Sequence, residues 1–312
     1  MSKLKTAVIG VGYLGKFHAE KYANLDNSEL VAVVDANADT ARAIAEKYGV
    51  QALTDYTSLL GEVDAVSIAA PTTLHHKIAR DFLEHCSHVL IEKPITVTVD
   101  EADDLIELAL ANELLIQVGH LERFNAAILD LDKILTTPTF IESNRLAPFN
   151  PRATDVNVVL DLMIHDIDII LEIVNSDIKS MNVAGTRVLT DTTDIANARL
   201  EFENGCVANV TASRVSAKVE RKMRIVQQDA YISVDFQNRI LDVYRKGEKE
   251  IHPGIPEIVK QESTFENNDA LKLEIVSFLD AIQNDKPVIV SGEAGRRALD
   301  TAIQITALLK DK

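Results

Sequence analysis

Basic charge is what this sequence has too little of. Thirty-two Lys and Arg stand against 48 Asp and Glu, a formal net charge of −16 over 312 residues. Surfaces that grip nucleic acid or anionic lipid need basic patches, so a general role on either is excluded. Cysteine is nearly missing too. Cys86 and Cys206 lie far apart, with no CxxC pair and no metal-ligand spacing. They read as reduced core thiols in a reducing compartment. No uninterrupted apolar run approaches the length of a membrane helix, and there are no internal repeats and no low-complexity tract. Met1-Ser2-Lys3 runs straight into a strand pattern, leaving no room for a signal peptide. The expectation is a cytoplasmic protein with no nucleic-acid and no membrane partner.

What is present is apolar content, 46% hydrophobic residues beside 26% charged ones, over a length suited to two domains. Up to about residue 120, short apolar runs alternate with helical patterns. Strands are expected at Lys5–Gly10, Glu29–Asp35, Asp64–Ala69, Ser87–Glu92 and Leu114–Gly119, and helices at Leu14–Ala23, Ala38–Tyr48, Leu74–Glu84 and Val99–Ala111. Near-continuous apolar strands are those buried on both faces of a parallel sheet. Gly49 stops the second helix and Asp100 opens the fourth.

After residue 120 the rhythm changes. Helices are expected over Phe124–Leu135 and Val156–Val174, with a strand near Phe140–Leu146 between them. Strand-like runs then follow in succession at Ser180–Leu189, Ile195–Phe202, Val207–Arg214, Lys222–Gln227, Ala230–Asp235 and Ile240–Tyr244. Gly247–Glu262 reads as the loosest segment, and helices at Asn268–Asn284 and Glu293–Leu309 close the chain. The fold class expected is α/β: a doubly wound parallel sheet of Rossmann type over 1–120, then an α+β domain over 121–312. The second domain carries a large open, mostly antiparallel sheet that offers a face for self-association.

Gly10-Val11-Gly12-Tyr13-Leu14-Gly15 is a GxGxxG between a strand and a helix at the start of a βαβ unit, the context that gives the motif meaning. Gly10 permits the tight turn, Gly12 lets a pyrophosphate approach, and Gly15 lets helix and strand pack closely. Asp35 ends the second strand, 20 residues after Gly15. A carboxylate there accepts from ribose hydroxyls and repels a 2′-phosphate, so NAD is favoured over NADP.

Ala69-Ala70-Pro71-Thr72 follows the next strand, and His88-Val89-Leu90-Ile91-Glu92-Lys93-Pro94 closes the one after it. An EKP tripeptide downstream of GxGxxG resembles the glucose–fructose oxidoreductase/inositol dehydrogenase (Gfo/Idh/MocA) family. Asp161-Leu162-Met163-Ile164-His165-Asp166-Ile167-Asp168 looks like that family's D-x-x-x-H element. The resemblance covers essentially the whole chain. It implies an oxidoreductase moving hydride between a sugar or cyclitol hydroxyl/carbonyl pair and a nicotinamide. Lys93, Asp161 and His165 fall at the catalytic positions. Gly10, Gly12, Tyr13, Leu14, Gly15, Asp35, Ala70, Pro71, Thr72, His75, Glu92 and Lys93 are expected around the cofactor.

The residue chemistry agrees. Removing hydride from an alcohol needs a base for the hydroxyl proton, and histidine titrates in the useful range. Asp161 and His165 are spaced i, i+4 on the expected helix, so the carboxylate can orient the imidazole. Lys93 ends a parallel strand, where ligands bind in open α/β sheets, and its ammonium can polarise the reacting oxygen. The His-Asp-x-Asp spacing does not converge on an ion, so no metal is expected.

Gly119–Asn125 and Asp155–Asp166 resemble, within the family, the branch that oxidises UDP-N-acetylglucosamine at its 3-hydroxyl. A nucleotide-sugar diphosphate calls for arginine. Arg123, Phe124, Arg145 and Arg152, with Lys93, Asp161 and His165, are the expected substrate residues. A basic stretch, Arg214, Lys218, Arg221, Lys222 and Arg224 against Glu220, reads either as a phosphate site or as an ion-paired strand face. Many family members carry glycines where this chain has Asn157, Val158 and Met163. Cys86-Ser87 replaces a glycine-containing turn. His18, His75, His76 and His120 fall near expected cofactor or cleft loops. Two alternatives stay open: a dehydrogenase of a free cyclitol or monosaccharide, and a dinucleotide-sensing regulator without chemistry. The family resemblance also implies a homodimer or homotetramer.

Overall fold

The computed structural model describes residues 3–131, 133–150, 156–266 and 268–310. The chain divides into two compact units, Met1–Phe124 with Asp269–Leu299, and Asn125–Asn268 with Asp300–Lys312.

The first unit alternates strand and helix: β1 (Leu4–Ile9), α1 (Gly15–Ala23), β2 (Ser28–Val34), α2 (Ala38–Tyr48), β3 (Gln51–Leu53), β4 (Ala65–Ile68), α3 (His75–Glu84), β5 (His88–Glu92), α4 (Val99–Ala111) and β6 (Ile116–Gly119). The strands form one parallel sheet in the order β3-β2-β1-β4-β5-β6. Strand order reverses between β1 and β4, the switch point where such sheets open a crevice for ligands. β4 and β6 are buried along their whole length, as apolar runs under helices on both faces must be. The sequence reading missed β3, whose three residues show no buried pattern. Local chemistry sets the helix ends. Asn37 accepts from the N–H groups of Asp39 and Thr40 to start α2, and Gly49 in the left-handed region ends it. Thr98 and Glu101 form a capping box on α4. The opening residue is therefore Thr98, with Asp100 inside the first turn.

The second unit holds α5 (Ala126–Leu131), β7 (Pro138–Leu146), a π-helical turn Val159–Met163 that runs into α6 (Ile164–Val174), then β8 (Ile178–Thr186), β9 (Ile195–Phe202), β10 (Val207–Ser213), β11 (Glu220–Gln227), β12 (Ala230–Asp235), β13 (Ile240–His252) and β14 (Ile255–Thr264). Eight strands pair in the order β14-β13-β12-β11-β7-β10-β9-β8. Every pair is antiparallel except β7 with β10. In β9 alternate residues Ala196, Ala198, Leu200 and Phe202 are buried, the period of a sheet with one covered face.

Three expectations in this half are corrected. Gly247–Glu262, read as loose, belongs to the β13–β14 hairpin, with Pro253 and Gly254 at its turn and Pro256 on the edge strand. Most side chains there are exposed, so no alternation marks the strands, and an edge strand tolerates proline. The helix expected over Phe124–Leu135 shrinks to α5, begun where the Asn125 side chain accepts from the Ala127 N–H. The single helix expected over Val156–Val174 has π winding in its first part.

Two helices close the chain, α7 (Ala270–Asn284) and α8 (Gly292–Lys310). The expected division at 120/121 gave both to the second domain, whereas Asp269–Leu299 clusters with the first unit. The reason is apolar burial. Ile275, Phe278 and Leu279 of α7 enter the core with Val8, Ala19, Tyr22, Val33 and Leu90. The segment after α7 meets β6 through an isolated antiparallel bridge between Gln117 and Ser291, with the Val118 N–H donating to the Val290 carbonyl at 3.0 Å.

Candidate active site

The glycines of the first loop divide into two kinds. Gly10 lies in the left-handed region at φ +86°, and a Cβ there would sit 2.7 Å from the Ala70 nitrogen; one on Gly15 would overlap the Gly10 carbonyl. Both are dictated by the unit's own packing, at the point where the loops after β1 and β4 converge. Gly12 is different, because a Cβ there would meet nothing within 4 Å. No internal contact requires glycine at that position, so it leaves a cradle into which an outside group can come close. α1 starts without a side-chain cap and without an acidic residue in its first turn. Its N–H groups and dipole thus remain available to anionic oxygens. Tyr13 and Leu14 are exposed on the intervening loop. Asp35, half-buried after β2, accepts from the Val11 N–H at 3.0 Å and the Asn37 N–H at 2.9 Å. The carboxylate is held by the glycine loop itself. These residues fit a dinucleotide.

Ala70, Pro71 and Thr72 leave the end of β4. His75 is buried behind them, Nε2 lying 2.8 Å from the Ala70 carbonyl and Nδ1 3.0 Å from the Pro94 carbonyl. Both ring nitrogens are engaged with backbone, so His75 ties the loop after β4 to the one after β5. A ribose contact would require one of those nitrogens to change partner. Glu92 closes β5, and its carboxylate lies 3.0 Å from Nε2 of buried His18. Burial alone raises the Glu92 carboxyl, but the His18 hydrogen bond and the charges of His18, Lys93 and His75 bring it below its ordinary value. Lys93 follows, half-buried, before a cis bond to Pro94. Every expected cofactor residue, Lys93 included, thus sits at the carboxyl end of β1, β2, β4 or β5, or in the loop or helix start that follows it. Arg123 and Phe124, in a 3-10 turn after β6, are both buried, and Nη2 of Arg123 donates to the Ile289 carbonyl at 3.3 Å.

In the second unit, Asp161 lies in the π turn and His165 in the first turn of α6, both half-buried. The three residues between them cross from π to α winding, so a shared face does not follow from regular α-helical spacing. Single π turns inside helices are frequent at functional sites. Asn157, where many family members have glycine, accepts from the N–H groups of Val159 and Leu160 at 3.0 and 3.1 Å. It starts the helix.

Two buried ion pairs hold this helix. Arg145 on β7 donates from Nε and Nη2 to the two oxygens of Asp166 at 2.8 and 3.1 Å, and both side chains are 3% exposed or less. Arg145 was expected on a diphosphate, but these donors are committed to the residue beside His165. Arg214 pairs with Asp194 at 2.8 Å, donates to the Val156 carbonyl at 2.7 Å and also binds Thr190 and Thr192. Asp194 accepts three further backbone N–H groups, from Val188, Leu189 and Thr190. Burial raises its carboxyl, and these bonds outweigh burial and leave it well below the ordinary value. Three more of the basic stretch pair within the unit: Lys218 with Glu220, Lys222 with Asp235, Arg224 with Glu142. Of the two readings left open, it is the ion-paired strand face. Arg152 lies outside the described residues.

Sequence reasoning placed His18 near the expected cofactor loops and Arg214 in a basic stretch with two open readings, and it gave no role to Asp166 or Asp194. His18 carried a usable signal, one turn beyond Gly15 on the helix that opens at the glycine loop. The two acids had none, because their partners are 21 and 20 residues away.

A Gly12 cradle at an uncapped helix, a carboxylate after β2 and a lysine after β5 define a dinucleotide-binding oxidoreductase of Rossmann type. Residues 4–120 match the model of an oxidoreductase family with an NAD-binding Rossmann fold, and residues 138–233 match the GFO/IDH/MocA C-terminal domain. The chain belongs to the Gfo/Idh/MocA oxidoreductase family. It is 42% identical over 306 residues, 98% of its length and 97% of the relative's, to a UDP-N-acetylglucosamine 3-dehydrogenase of Acidithiobacillus ferrooxidans. A solved structure of a UDP-N-acetylglucosamine 3-dehydrogenase from that organism superposes with a TM-score of 0.92 at 40% identity, covering 100% of this chain and 99% of the other. An inositol 2-dehydrogenase of Salmonella typhimurium is 26% identical over 77% of this chain and 82% of its own. Among the described residues no helix is long and apolar enough to cross a membrane.

Proposed function

We propose that this chain is an NAD-dependent dehydrogenase of a nucleotide sugar, oxidising the 3-hydroxyl of UDP-N-acetylglucosamine in the cytoplasm. The observation that carries the reading is the end-to-end likeness to a UDP-N-acetylglucosamine 3-dehydrogenase, 42% identity over 98% of the chain. When bound, NAD supplies the nicotinamide carbon that accepts hydride. Gly12 and the start of α1 take the pyrophosphate, and Asp35 takes the ribose hydroxyls and disfavours NADP. The Lys93 ammonium, backed by the Glu92 carboxylate, polarises the reacting oxygen and stabilises alkoxide character. His165 accepts the hydroxyl proton and Asp161 orients its ring. The Arg145–Asp166 pair fixes the first turn of α6, where His165 sits. Arg123 and Phe124 are buried supports after β6, and Arg152 is assigned to the diphosphate on sequence grounds. The exposed face of the eight-stranded sheet, with Phe140 and Tyr231 on it, is proposed to pair copies into a dimer or tetramer.

The test is NADH formation by the purified protein with UDP-N-acetylglucosamine, other UDP-sugars and free inositols, each with NAD and with NADP. The expected result is turnover of UDP-N-acetylglucosamine with NAD. Turnover of free inositols alone would replace the reading by a cyclitol dehydrogenase, and binding of NAD without turnover of any sugar would replace it by a sensor.

A further inference from the structure

Behind the Glu92–His18 pair lies an acid that the proposed chemistry does not use. Glu274, on α7, is wholly buried, and among the described residues neither of its carboxyl oxygens has a hydrogen-bond partner. Its neighbours on α7, Ile275, Phe278 and Leu279, are core residues. The surroundings offer it no cation. From α1, Tyr22 faces this region with its hydroxyl bonded to Ser67 at 2.8 Å, His18 is taken by Glu92, and Lys21 pairs with Glu20 and with Asp269 at the start of α7. From β6, Gln117 donates to the Glu274 backbone carbonyl at 3.0 Å. From the turn after β6, Arg123 donates to the Ile289 carbonyl. The charge that bears on Glu274 is the negative one of Glu92.

We propose that Glu274 is a positioning residue for the reaction: held as a neutral carboxylic acid behind Glu92, it leaves Glu92 as the carboxylate that faces His18 and Lys93. The physical reason is that a second charge beside a buried carboxylate, with no cation between the two, is costly, so one of the two acids keeps its proton near neutral pH. His18 stabilises the ionised form of Glu92, so the proton stays on Glu274. Burial and the Glu92 charge both act in that direction. The role at Lys93 rests on the catalytic assignment made above; the protonation of Glu274 does not. As pH rises Glu274 gives up its proton, and a second negative charge then holds the Lys93 proton to higher pH.

Infrared spectroscopy of the full-length protein without substrate tests the protonation. At about pH 8, where exposed carboxyls are ionised, the wild type is expected to keep the carbonyl band of a protonated carboxylic acid. Glu274→Gln removes that band, and Glu274→Asp, should the Gln variant fail to fold, moves it. A wild type without the band, or a band unmoved in the variant, would overturn the proposal. In turnover, Glu274→Gln is expected to bring the alkaline limb of the kcat/KM profile down by roughly half to one pH unit, with the acid limb unchanged. Coincident profiles would remove the positioning role. A wild type that turns over no sugar would sink the catalytic assignment while leaving the infrared result to stand.

Discussion

The two units hold their proposed functional residues with different materials. In the first, the cradle is backbone: a glycine turn, an uncapped helix start and loop ends at a sheet switch point. In the second, Asp161 and His165 stand on a helix whose approach and first turn are pinned by two buried arginine–carboxylate pairs, Arg214–Asp194 and Arg145–Asp166. Backbone sites are local in sequence and keep their spacing. Sites held by ion pairs are assembled from partners far apart, and their stability depends on both members being present.

The sharpest way to break this contrast is to remove one member of a pair. Arg145→Met leaves Asp166 buried without its partner and is expected to cost about 3–5 kcal/mol in denaturant unfolding. Arg145→Met with Asp166→Leu is expected to recover most of that loss. A double variant as unstable as the single one would show that the arginine acts by packing.

Next in size is the pair of glycines in one motif. Gly15→Ala drives a methyl into the Gly10 carbonyl and is expected to destabilise by about 1–3 kcal/mol or more. Gly12→Ala adds a methyl to open space. Stability is expected to stay within about 0.5 kcal/mol, while NAD binding, followed calorimetrically, weakens about tenfold. If both variants lost stability equally, the cradle assignment would fail.

Acid titration compares the units through their buried carboxyls. Asp194 has a lowered folded-state value. Its contribution is present above the ordinary carboxylate range and lost as pH falls through that lowered value. Glu274 has a raised value, so its contribution is full below the ordinary range and lost as pH rises. Melting temperature against pH is expected to fall less steeply on the acid side in Asp194→Asn, and less steeply on the alkaline side in Glu274→Gln. Swapped slopes would contradict both directions. The smallest effect belongs to the strand face. Arg224→Ala removes an exposed pair with Glu142 and is expected to change stability by about 0.5 kcal/mol or less.

The same contrast explains what the sequence made legible. The parallel sheet was readable because strands such as β4 are buried on both faces and appear as apolar runs, and the glycine loop because its spacing is fixed by backbone contact. β3 was too short to carry a pattern, and β13–β14 too exposed. The π turn escaped because Val156–Val174 is apolar enough to read as one regular helix. Arg145 was singled out for a ligand because a diphosphate calls for arginine and, in sequence, Arg145 flanks the approach to the helix of Asp161 and His165. Its acid partner lies 21 residues on, and nothing in the spacing announces it. α7 was given to the wrong half because chain order does not say which core Ile275, Phe278 and Leu279 will enter.

The central claim is that cofactor binding belongs to the first unit's backbone and proton handling to side chains such as His165. It is tested most directly by measuring NAD affinity and sugar turnover together in His165→Ala. The account predicts an unchanged NAD dissociation constant with turnover reduced about 10²- to 10⁴-fold. Turnover within a few fold of the wild type, or NAD affinity lost in parallel with activity, would contradict it.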